Sequence, residues 1–155
     1  MKPVLFILVF TLGAVSLSAQ SFWSFIGQGD LPESGGQRVL AFEHRLVRFN
    51  LEAAAALLAD ESRTSVRLSV PMPDGSAAWF DVWETPVMPD ALQARYPQIR
   101  CFTGQGVTDA SALLKCDLTP QGFHAMILSP QHSPVFIDVY EPATPSVGVV
   151  YFKKD

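Results

Sequence analysis

The chain has 155 residues, with 11 Lys and Arg against 15 Asp and Glu and a formal net charge of −4. It carries no basic run and no basic-aromatic stripe, which argues against nucleic acid as a partner. Apolar residues make up 48% of the chain, so its 12 prolines and 10 glycines read as turn punctuation rather than disorder.

The N-terminus has the form of a processing signal. Lys2 precedes an apolar run from Val4 to Val15, and Ser16-Leu17-Ser18-Ala19 follows as a mostly small-residue segment. Cleavage between Ala19 and Gln20 is the preferred reading, with the bond after Ser18 as the alternative. The run is too short for a comfortable membrane span. The expectation is a secreted or cell-surface chain with no membrane association after cleavage; a retained anchor is the competing reading. Lys2 is the only charge in residues 1–19, so the exported part is one unit more acidic. Its length suits one domain with its own core.

Residues 20–38 read as a leader. Gly27-Gln28-Gly29-Asp30 and Ser34-Gly35-Gly36-Gln37 are turn chemistry, interrupted by Phe22, Trp23, Phe25 and Ile26, which need apolar surface to pack on. Val39–Phe49 is strand-like, with Phe42, Leu46 and Phe49 as inward candidates. Asn50 then caps a helix whose Leu51, Ala54, Ala55 and Leu58 share one face. Val66, Leu68 and Val70 alternate with polar residues before a turn at Pro71-Met72-Pro73-Asp74-Gly75. The chain returns through Trp79–Trp83 with aromatics on both faces. Pro89 opens a second short helix that Pro97 ends by Arg95.

Five further strands are predicted, at Ile99–Thr103, Ala112–Leu118, Phe123–Leu128, Val135–Tyr140 and Val147–Phe152. Short connections make the four from Ile99 to Tyr140 antiparallel neighbours. The fold class is therefore mainly β (α+β), an antiparallel sheet or partly open β-sandwich with two short helices. Residues 39–155 form the β-rich domain.

Chemistry is sparse. His44, His124 and His132 form no HExxH pair, and no GxSxG elbow occurs, so neither a metal nor a catalytic residue is assigned. The chain is not expected to be an enzyme or to hold a cofactor. Gly104-Gln105-Gly106 lacks the third glycine and the helix of a nucleotide loop; it reads as a strand end needing permissive backbone angles. His132 reads as a solvated turn residue. Cys101 and Cys116 fall near equivalent points of two adjacent predicted strands in an exported chain. They are expected to form a disulfide worth on the order of 3 kcal/mol. Free thiols, including a Cys–His dyad with His124, are the alternative.

The order FNLEAAAALLA, a hairpin on PMPDG, VMPDALQARYPQIRCFTGQG, DLTPQGFHAMILSP, VFIDVY and VVYFKKD resembles a known family. It is similar to the amino-terminal propeptide region of secreted bacterial zinc metalloproteases of the reprolysin (adamalysin-like) class, from about Val39 to the end. The spacing from Cys101-Phe102-Thr103-Gly104 to Cys116 is also similar to a cysteine pattern of animal adamalysin propeptides.

The resemblance implies a non-catalytic domain, the front of a longer precursor. It would act as intramolecular chaperone and latency inhibitor of a cognate metalloprotease domain, which would hold the zinc. The zinc-blocking cysteine of some animal members is not carried over to Cys101 or Cys116, whose context is the sheet. Trp79, Trp83, Phe123, His124 and Met126 are the candidate protease contacts. The alternative is a stand-alone secreted β-domain that binds carbohydrate or another surface ligand.

Overall fold

A computed structural model of the protein describes residues 21–31, 42–59 and 64–155. The segment expected to be a signal, with its expected cleavage point at Ala19 and Gln20, lies outside the described residues. Among the described residues nine strands form one antiparallel sheet: β1 (Trp23–Ile26), β2 (His44–Phe49), β3 (Val66–Pro71), β4 (Ala77–Glu84), β5 (Arg100–Gly106), β6 (Leu113–Thr119), β7 (Gly122–Ser129), β8 (His132–Val139) and β9 (Val147–Phe152). Their order is β1-β2-β9-β8-β7-β6-β5-β4-β3. From β3 to β9 every strand lies beside its neighbour in the chain, as short connections dictate. The described residues also form two short α-helices, α1 (Leu51–Leu58) and α2 (Asp90–Gln93).

The sheet curls into a half-barrel around an apolar interior. Alternation along each strand decides which side chains enter it. On β7, Phe123, Ala125 and Ile127 point inward, whereas His124 and Met126 point outward. Phe22, Phe49 and Phe123 form a cluster of three rings, with centroids 5.2–5.8 Å apart. The leader's apolar residues thus pack on the domain itself, and part of the leader is a strand.

Side chains tie the two ends of the curl together. The Trp23 indole on edge strand β1 donates to the Ser69 carbonyl on edge strand β3, at 2.8 Å. Arg45 on β2 donates to the Pro73 carbonyl in the β3–β4 turn, also at 2.8 Å. Helix α1 buries Ala54 and Leu58 in the same core. Asn50 Oδ1 accepts from the Ala53 amide at 2.9 Å and caps its start. Arg100 donates to the Leu58 carbonyl at 3.2 Å, near the helix's negative end.

The fold departs from the expectations at particular residues. Phe42 is 90% exposed and stands outside β2, which starts at His44; residues 39–41 lie outside the described residues. Leu46 is buried on the outer face, in a second cluster with Tyr140, Val147 and Val149. Helix α2 is only the one turn Asp90–Gln93. Gly104 and Gly106 have ordinary negative φ, and the reason for them is space. A Cβ on Gly106 would stand 2.1 Å from the Asp109 carbonyl oxygen. Gly122, by contrast, has φ +131° at the β6–β7 turn, a conformation that suits glycine. His132 is half-buried, with its ring 6.0 Å from Phe152.

Candidate functional site

The expected disulfide is not there: both thiols are free. In the β5–β6 register Cys101 faces Asp117 and Phe102 faces Cys116. The cysteines are therefore diagonal neighbours on opposite faces, and their Cβ vectors diverge. Cys116 is in the core, where burial pushes its thiol up to about 12. Cys101 is on the outer face. Burial, then the charges of Asp117 and Glu84, raise its thiol above the ordinary value too. Neither is primed as a nucleophile.

Cys101 belongs to a groove of about 340 Å³ on the outer face. Strands β5 to β8 supply its floor, and Thr85 and Val87 of the β4–β5 connection form one wall. Adjacent strands line up its side chains in two rows. One row runs Thr103, Lys115, Met126, Phe136 and, on β9, Tyr151. The other runs Cys101, Asp117 and His124. Asp138 continues it, one step beyond the Ala125–Ile137 pair.

The first row starts polar. Lys115 Nζ donates to Thr103 Oγ1 at 2.7 Å, and the Thr85 hydroxyl donates to the same oxygen at 2.9 Å. It then turns apolar through Met126 and the stacked pair Phe136–Tyr151, with centroids 5.8 Å apart. The second row is anionic. His124 Nδ1 lies 3.1 Å from Asp117 Oδ1. That hydrogen bond, with the charges of Asp117 and Asp138, raises the imidazole above its ordinary value against the opposing effect of burial. The Tyr151 hydroxyl donates to Asp138 Oδ2 at 2.7 Å. Burial, then that bond, push the phenol up to about 12.

No Cys–His dyad forms. Asp117 stands between Cys101 and His124, which puts them about two strand spacings apart, roughly 9–10 Å. Nor does the Asp109 cluster make a triad. Ser129 donates to Asp109 Oδ2 at 2.6 Å, and Ser111 donates to Oδ1, so the carboxylate holds two turns together. His132 Nδ1 is instead 2.8 Å from the Ser133 carbonyl. Among the described residues no group of His, Cys, Asp and Glu is arranged to hold a metal ion.

Of the candidate contacts, His124 and Met126 line the groove. Trp83 is on the same outer face, opposite Thr103, and is 40% exposed; Trp79 is outward-facing and half-buried. Phe123 is fully buried among Phe22 and Phe49 and is no contact residue. Sequence reasoning missed Phe136, Asp138, Lys115 and Thr103. Alternation along each strand was a visible signal for all four, but alignment between strands was not. No protein-family model, curated protein or solved structure matches the chain.

Proposed function

We propose that this domain is the non-catalytic propeptide of a secreted zinc metalloprotease precursor, and that it docks on the protease domain through the outer-face groove. One observation carries the reading. Three segments that carry the resemblance meet at that groove: Thr103–Gly106 brings Thr103, Leu118–Ala125 brings His124, and VFIDVY brings Phe136 and Asp138, whereas Tyr96–Ile99 stands outside it.

The outer face is also unusually apolar for an antiparallel sheet whose other face is already the core, with Trp83, Met126, Leu128 and Phe136 on it. A partner would bury that surface and hold the protease in its latent state, and the same contacts would template its folding. The zinc belongs to the protease.

The test adds the chain in trans to the separately folded protease domain. Peptide hydrolysis slows and refolding yield rises if the reading is right; no change in either rejects it. Met126→Asp weakens both effects if the groove is the contact. A stand-alone carbohydrate-binding domain is the second reading, favoured by the exposed Trp83 and Tyr96 rings. It predicts oligosaccharide-dependent quenching of tryptophan fluorescence.

A further inference from the structure

We infer that the outer-face groove is a receptor for one basic side chain, lysine or arginine, of an extended partner segment, and that His124 is its built-in competitor. The inference rests on the groove being a partner-binding surface and adds what that partner must carry.

The groove is dipolar. At one end Lys115 is held against Thr103 and Thr85. At the other, Asp117 and Asp138 flank His124. Asp117 shares strand β6 with Lys115, two residues away on the same face, and is bonded to His124, whereas Asp138 is two strands from Lys115 on β8, roughly 10 Å, and is not neutralised by it. Beside Asp138 are the stacked rings of Phe136 and Tyr151, with Met126 next to them and Val87 on the wall. Carboxylates beside aromatic faces and an apolar strip are what a long cationic side chain needs. Its methylenes cover Met126 and Val87, and its charge meets Asp138 and the ring faces. An acidic or neutral side chain gains nothing at that end.

His124 sets how strongly anionic the end is. The groups facing it are Asp117 and Lys115 on β6, Cys101 on β5, Asp138 on β8 and Tyr151 on β9. The β4–β5 wall brings only Thr85 and Val87. Glu84 and Arg100 neutralise each other in a two-bond pair. With His124 neutral, the two carboxylates draw an incoming cation. With His124 protonated, its own charge occupies their field and the incoming cation is weakened.

The experiment is a titration of the full chain followed by NMR at the Met126 methyl and His124 ring. The probes are the blocked tripeptide Ala-Arg-Ala and its citrulline counterpart, which keeps shape and loses charge. At about pH 8 the arginine peptide binds about fivefold or more tighter than the citrulline peptide, and acidification to about pH 5.5 removes most of that difference. His124→Gln makes binding independent of pH in this range. Asp138→Asn and, separately, Asp117→Asn lower the arginine preference.

Equal binding of the two peptides to the unmodified chain overturns the inference, and so does binding of neither. Tighter binding of a blocked Ala-Glu-Ala peptide also overturns it, since the Lys115 end would then dominate. Since no protease is present, failure here leaves the inhibition assay to judge the propeptide reading separately.

Discussion

The inner and outer faces of this sheet are built from the same strands, yet they follow different rules. Inside, Cys116, Phe123 and Ile127 are held by packing, and each is almost wholly removed from solvent. Outside, Cys101, His124 and Met126 line an open groove, and His124 is bonded to Asp117. Cys101 and Cys116 are diagonal neighbours on paired strands, and their side chains are on opposite faces of the sheet. Side-chain parity alone makes that difference, so a reader of the sequence who misses the register by one residue assigns a residue to the wrong face.

The two thiols give the largest contrast. Under native conditions Cys101 alkylates, whereas Cys116 reacts only when the domain opens. Its labelling should be slower by roughly three orders of magnitude or more, as timed intact-mass measurements would show. Equal rates would mean that the β5–β6 register is wrong.

Next comes a pair of neighbours. Phe123→Ala should cost about 3–5 kcal/mol in urea denaturation, because it empties the centre of a ring cluster. His124→Gln, one residue on, should change stability far less and act on ligand binding instead. Gly106→Ala should cost about 1–3 kcal/mol, since its Cβ meets the Asp109 carbonyl and the backbone must move. Asn50→Ala removes a helix cap and should cost about 1 kcal/mol.

The smallest effect is a pH dependence. His124 titrates above the ordinary histidine value in the folded chain, raised first by its bond to Asp117. Its contribution is complete below the unfolded value and is lost as pH rises through the folded one. Relative to His124→Gln, the native chain should therefore lose a little stability as pH rises above the ordinary histidine value of about 6.5.

Local chemistry was legible in advance. The Asn50 cap, the turn at Pro73-Asp74-Gly75 and the strand Val147–Phe152 follow from neighbours in the chain. The groove was legible only in part. His124 and Met126 stand out in the sequence, but Asp138 and Phe136 reach them through cross-strand alignment, which no short window encodes. The close approach of Asp109 to Gly106 is likewise a tertiary fact. Phe42 misled because a strand-like apolar run from Val39 reads as one strand to Phe49, whereas β2 starts at His44.

Strand order also sets a timetable. From β3 to β9 each strand can zip onto the one made just before it. Strand β2, at 44–49, must wait for β9, at 147–152, because β9 and β1 are its only neighbours in the sheet. Until then Val47, Phe49 and the Phe22–Ile26 segment that packs beside them have no sheet to join. Closing this long loop should be late and slow, as topology predicts when distant segments must meet. Throughout that interval Phe22, Trp23, Phe25 and Phe49 would have no sheet to cover them and would be open to association with other chains.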